Sequence, residues 1–137
     1  MFLKQINVVV LGNNRPDLEM MTTYISESLE RHEEYKATVT GFIEPNKAYE
    51  FVEQNGCDIL FSEAELCGVD GLNFMRKIRK EHPQINIVIT TTYEEYIVQA
   101  VQMQIRPAGY LSLPTTLSKM NDLIESILLF LQTAKAV

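Results

Sequence analysis

The feature that most constrains this chain is a series of short apolar runs rich in β-branched residues, each followed by a stretch with helical spacing. Residues 6–11 (INVVVL) leave no polar face for solvent, the mark of a strand covered on both sides. Gly12-Asn13-Asn14-Arg15-Pro16 ends that run with turn residues. Further strands are expected at 36–43 (KATVTGFI), 58–62 (DILFS), 85–90 (INIVIT) and 109–112 (GYLS).

Between them lie helical patterns. Residues 16–33 place Leu18, Met21, Ile25 and Leu29 three and four apart, with Pro16 near the start, where a helix tolerates it. Residues 46–54 form a short helix stopped by Asn55-Gly56. Asp70 caps a helix whose Leu72, Met75 and Ile78 face inward, and His82-Pro83 stops it. Residues 93–103 carry Tyr96, Ile97, Ala100 and Val101 as an apolar stripe, and Thr115 or Thr116 caps a last helix running to about residue 133. The alternation predicts an α/β fold, a doubly wound five-stranded parallel sheet flanked by five helices, because right-handed crossovers pack each helix back on the sheet. The working site of such a sheet lies beyond the carboxyl ends of its strands. Those ends carry Gly12, Asn13 and Asn14, then Glu63, then Thr91 and Thr92, then Leu113.

Composition narrows the classes. At 137 residues a single domain over 1–137 is expected. Eighteen acidic against twelve basic residues, a net charge of −6, would repel a phosphate backbone, so direct nucleic-acid binding is not expected. Cys57 and Cys67 have no histidines at ligand spacing and read as buried or free thiols, neither a disulfide nor a metal site. The first ten residues carry one lysine and no small-residue cleavage site, and the longest apolar stretch, 127–131, is too short to cross a bilayer. A cytoplasmic protein with no membrane contact is the expectation.

Two stretches, CDILFSE at 57–63 followed by GVDGL at 68–72, and GYLSLP at 109–114, resemble the strand, phosphoacceptor and turn, and the "GYLTKP" segment, of receiver domains from bacterial two-component response regulators. The segment from Tyr93 through Ala100 and Val101 to Gly109-Tyr110-Leu111 is also similar to receivers of the LytR/AgrA type. The resemblance spans residues 6–131 and implies the CheY-like, flavodoxin-like strand order 2-1-3-4-5, with a role in two-component signal transduction, phosphorelay or transcription regulation. Carried over residue by residue, it also implies losses. The aspartate nucleophile, seven before Asp70, is Glu63. The acidic pair that holds Mg²⁺ falls on Gly12 and Asn13. The hydroxyl at the end of the fourth strand is kept as Thr91. The lysine of the fifth strand is Leu113, and the aromatic switch residue is Tyr110.

Without Mg²⁺ or lysine nothing offsets the charge of a phosphoryl group in transit. The expectation is therefore a degenerate pseudo-receiver that works through protein contacts, with no catalytic residue, no enzyme activity, no metal and no cofactor. Glu63, one methylene longer than aspartate, is expected to imitate the phosphorylated state by accepting a hydrogen bond from Thr91. Two alternatives remain at this stage: a working Mg-dependent phosphoacceptor, and a flavodoxin-like binder of a phosphorylated ligand at the Gly12-Asn13-Asn14 turn. Plainer roles stand beside these, with Glu63 a solvated loop carboxylate, Thr91 a strand-end threonine and Tyr110 a packed tyrosine.

In the last helix, Leu117, Met120, Leu123, Ile124, Ile127, Leu128 and Leu131 fill a core-facing stripe, while Leu129 and Phe130 widen it beyond one face. In receivers the fourth helix, fifth strand and fifth helix form the usual dimer surface. The resemblance thus implies a homodimer or docking to an output domain, with Leu129 and Phe130 at the interface; extra cover within the monomer is the alternative.

Overall fold

The structure, a computed structural model, describes residues 3–66 and 69–136, with side chains at all of these but 69 and 132–136. The elements in order are β1 (Lys4–Leu11), α1 (Arg15–Glu30), β2 (Tyr35–Phe42), α2 (Pro45–Asn55), β3 (Ile59–Glu63), β4 (Glu65–Leu66), β5 (Val69–Asp70), α3 (Gly71–Glu81), β6 (Asn86–Thr91), α4 (Glu95–Gln102), β7 (Gly109–Ser112) and α5 (Leu117–Ala136). Five strands form one parallel sheet in the order β2-β1-β3-β6-β7. With the two-residue antiparallel ribbon β4-β5 set aside, this is the expected 2-1-3-4-5 pattern.

The unbroken apolar runs are explained by what they touch. In β1, Val8 and Val10 pack with Ile59, Phe61, Val88 and Leu111 under α1 and α5. Val9 and Leu11 pack with Leu60, Ile87 and Ile89 under α2, α3 and α4. Successive side chains point to opposite faces, and because both faces are roofed, both sets must be apolar. Each fully buried aliphatic side chain contributes about 1.5–3 kcal/mol, so the two cores together dominate the stability of the domain.

Helix ends follow local chemistry. Asn14 caps α1, its Oδ1 accepting from the Asp17 N–H at 2.9 Å. Asp70 caps α3, its Oδ1 accepting from the Leu72 N–H at 2.9 Å. Of the two threonines before α5, Thr116 accepts from the Lys119 N–H at 3.2 Å, whereas the Thr115 hydroxyl is buried without a partner among the described residues. Helix α1 stops at Glu30 rather than 33, since after Leu29 no apolar residue needs a helical position and the chain must turn into β2. Buried Arg79 ties α3 to the connection before β7. Its Nε donates to the Ile105 carbonyl at 2.6 Å, and its Nη atoms donate to the Pro83 and Arg106 carbonyls at 2.7 and 3.2 Å.

Two expectations are corrected. Helix α4 begins at Glu95, not 93, because the Thr91 hydroxyl holds the backbone of Tyr93 in a turn. Its stripe does not include Val101, which is 65% exposed. A helix of two turns buries one narrow stripe; Ala100 occupies it, with Tyr96 and Ile97 half-buried, and the next residue lies about 100° away. On α5, Met120, Ile124, Ile127 and Leu128 are buried and Leu123 and Leu131 pack against the core, while Leu129 and Phe130 are 57% and 64% exposed. Among the described residues, no helix is long and apolar enough to cross a membrane.

Candidate functional site

The parallel register brings the strand ends together. Leu11 pairs with Ser62 and Glu63 with Thr90, so the turn after β1 stands beside the last residue of β3. Leu113 follows β7, and its N–H donates to the Thr91 carbonyl at 2.8 Å. Around them lies a cleft of about 260 Å³ whose lining includes Asn13, Asp17, Glu63, Glu65, Thr91 and Leu113.

The carboxylate of Glu63 accepts the backbone N–H of Asn13. It does not take a hydrogen bond from Thr91, contrary to expectation. The Thr91 hydroxyl instead accepts from the Tyr93 N–H at 3.0 Å and donates to the Tyr93 carbonyl at 3.2 Å, closing a local turn. The longer glutamate side chain reaches across to β1, where the strand-end amide lacks a ladder partner. Burial holds the Glu63 carboxyl above the usual carboxylate range. The Asn13 amide opposes this by favouring the charged form, while Asp17 and Glu65 add to it through like-charge repulsion.

The Mg²⁺ that receivers use needs an octahedral shell of oxygen ligands, largely carboxylates and water. The residues do not fit it. Gly12 offers no side chain, and a Cβ there would lie 3.1 Å from the Leu18 Cβ, so α1 occupies the space. Asn13 presents its amide to Glu63 instead of a second carboxylate. Among the described residues, the group of acidic and histidine side chains whose ligand atoms converge lies elsewhere. At the lysine position, Leu113 packs against the hydrophobic core, and the Leu113–Pro114 bond is cis. The cleft therefore offers three carboxylates, Asp17, Glu63 and Glu65, and no basic side chain among its described lining residues.

The turn after β1 is equally ill-suited to a phosphate. The Asn13 amide is taken by Glu63, and the Asp17 amide at the start of α1 is taken by the Asn14 side chain. Cys57 is a free thiol whose Sγ donates to the Ile59 carbonyl at 3.1 Å, and burial pushes it up to about 12, which leaves it unreactive at neutral pH. Cys67 and Gly68 of the expected motif lie outside the described residues.

Two acidic residues of the cleft were missed from sequence. Asp17 could have been suspected as a first-turn acid of α1. Glu65 could not, since its place depends on the β4-β5 ribbon, which is too short to show in any periodicity. The Tyr96 hydroxyl, read only as part of an apolar stripe, donates to Glu65 Oε1 at 2.5 Å and is pushed up to about 12 by that bond. Tyr110 pairs with Ile89 in the sheet, yet its side chain is 52% exposed. Val98 of α4 is also exposed.

A family model described as the response regulator receiver domain matches residues 16–125. No curated protein sequence matches the chain. Among solved structures, it is similar to a response regulator receiver domain protein from Clostridium thermocellum, with 14% identity, 94% of this chain and 98% of that one covered, and a TM-score of 0.77. A two-component response regulator from Clostridium difficile gives 19% identity, 90% and 96% coverage, and a TM-score of 0.75. The isolated REC domain of RcsB from Salmonella enterica serovar Typhimurium, with the phosphomimetic BeF3−, gives 18%, 87% and 85%, and 0.68. At these identities the likeness is one of fold.

Proposed function

The chain belongs to the response regulator receiver domain family, and we propose that within two-component signalling it acts without accepting a phosphoryl group, through contacts with other proteins. The observation that carries this reading is the charge of the cleft. Where a phosphoacceptor needs a metal and a lysine, the lining supplies Asp17, Glu63 and Glu65 and an apolar Leu113. Charged oxygens entering such a site meet like charge in a half-buried setting, where repulsion is stronger than in water.

Glu63 acts here as a fixed internal acceptor that ties β3 to the turn after β1. Output runs through α4, β7 and α5, whose exposed apolar residues include Val98, Val101, Tyr110, Leu129 and Phe130, toward a second copy of the chain or an output domain. The likeness to LytR/AgrA-type receivers is compatible with transcriptional output.

The test is an amide NMR titration of the protein with Mg²⁺ and then with Mg²⁺ plus beryllofluoride, following Asn13, Glu63, Thr91 and Tyr110. The expected outcome is no saturable shift at these residues. Saturable shifts at all four would mean that a metal and phosphoryl site survives, and would overturn the proposal.

A further inference from the structure

Away from the cleft, the sequence places a histidine and two glutamates at the ends of two neighbouring helices. Glu53 lies in the last turn of α2, Glu81 ends α3, and His82 follows it as the C-cap residue. Their ligand atoms, one imidazole nitrogen and two carboxylate oxygens, all lie within 4.8 Å of one another. His82 Nε2 stands 2.6 Å from Glu53 Oε1. Both helices run back against the strands, so this cluster sits toward the amino-terminal edge of the sheet, at the opposite end from Glu63.

We propose that Glu53, Glu81 and His82 form a site for a borderline divalent transition-metal ion, with Zn²⁺ as the best-matched representative, joining the ends of α2 and α3. The donor set carries the choice. One imidazole with two carboxylates is a Zn²⁺ set that leaves a fourth position for water, whereas Mg²⁺ and Ca²⁺ take oxygen ligands. Bonds of about 2.0 Å at a tetrahedral angle separate ligand atoms by about 3.3 Å. The 2.6 Å contact therefore opens by under an ångström, and any pair near the 4.8 Å limit closes by about 1.5 Å, when a metal enters.

A second observation concerns the outer shell. The Tyr49 hydroxyl donates to Glu81 Oε2 at 2.7 Å and so orients the carboxylate. Lys77 Nζ lies over the Tyr49 ring, 4.1 Å from its centroid. Ligating carboxylates are commonly oriented by such partners. The carbonyl ends of α2 and α3 add partial negative charge close by, which favours a cation.

The test is calorimetric titration of the full chain with Zn²⁺ in a non-chelating buffer, repeated with Co²⁺, whose visible absorption reports the geometry. One equivalent is expected to bind. His82→Ala and Glu53→Gln should each weaken binding by at least about tenfold, and Tyr49→Phe by about tenfold through the outer shell. His32→Ala, Cys57→Ser and Glu63→Gln should bind like the parent, and Zn²⁺ should raise the melting temperature of the parent but not of His82→Ala. Circular dichroism confirms that each variant is folded, and Glu53→Gln, an exposed isosteric change, keeps the test informative if His82→Ala is not. Absence of saturable binding by the parent, or loss of binding in Cys57→Ser or His32→Ala but not in Glu53→Gln, would overturn the site.

Discussion

Gly71 is the position where a single methyl group tests the geometry of the site most severely. It opens α3 directly after the capping Asp70, and its N–H donates to the Ala64 carbonyl at 3.0 Å, holding the helix start against the end of β3. A Cβ at Gly71 would lie 2.2 Å from the Glu63 carbonyl oxygen, 2.6 Å from that of Ala64 and 2.9 Å from the Ala64 carbonyl carbon. These are backbone atoms, unable to turn aside as a side chain does. The nearest approach falls about 0.8 Å short of the closest that real Cβ atoms tolerate, so strand and helix must separate. The Gly71–Ala64 hydrogen bond is lost with that separation, at about 1 kcal/mol, and the overpacking strain adds about 1–3 kcal/mol. Reduced freedom of the unfolded chain returns about 0.4–1 kcal/mol to the alanine variant. Gly71→Ala should therefore destabilise the domain by about 2–3 kcal/mol, a fall of roughly 10 °C in melting temperature for a chain of this size. Urea and thermal unfolding followed by circular dichroism measure it. Gly41→Ala is the control, because the atoms nearest its Cβ would be side-chain carbons of Leu18 and Thr22, at 3.0–3.2 Å. That variant should stay within about 1 kcal/mol of the parent. A Gly71→Ala protein as stable as Gly41→Ala would refute the close approach of β3 and α3.

The remaining expectations concern charge, the buried arginine and the apolar surface. Burial raises the Glu63 carboxyl, so the folded state favours its protonated form; that stabilisation is present in acid and is lost as pH rises through the raised value. Glu63→Gln keeps an acceptor for the Asn13 amide without the charge, and should melt higher than the parent at pH 7.5 with the advantage gone near about pH 4; equal differences at both pH values would count against it. Arg79→Lys gives up the planar fork that serves three carbonyls, and should lower stability by about 2–4 kcal/mol, with an unchanged urea midpoint as the contrary result. If α5 takes part in self-association, the Leu129→Glu, Phe130→Glu double variant should sediment as a monomer where the parent sediments as a dimer; the same species for both would remove α5 from the interface.

The inner strands β1, β3 and β6 could be read from sequence because each had to be apolar on two faces, whereas the edge strands β2 and β7, mostly exposed, were marked by β-branched or aromatic residues between turns. The caps at Asn14 and Asp70 follow from short polar side chains placed before apolar periodicity, and Asp70 in turn anchored the count that put Glu63 at the end of β3. What could not be read depends on choices between competing partners. Thr91 has a hydroxyl that either crosses to Glu63 or folds back on Tyr93, and only the backbone path after β6 decides for the turn. Glu63 has the reach for several donors, and the register of β1 against β3 decides for Asn13. Val101 looked equivalent to Ala100 until the shortness of α4 removed the second stripe.

The substitutions in the cleft are bound up with packing as well as with charge. A side chain at Gly12 would press on Leu18, which is buried in the same core as Val8 and Met21. Leu113 packs against the same core and lines the cleft, so a lysine there would exchange apolar contact for a charge in the cleft that holds Asp17, Glu63 and Glu65. Glu63 in turn satisfies the Asn13 amide, which shortening to aspartate would leave without its partner. Each position that departs from the phosphoacceptor pattern is thus held by its neighbours. Restoring one residue costs packing or a hydrogen bond without gaining a metal site, because the remaining ligands would still be absent. On this argument, the charge pattern and the packing of the cleft together favour a domain that keeps the receiver architecture as a scaffold for protein contacts.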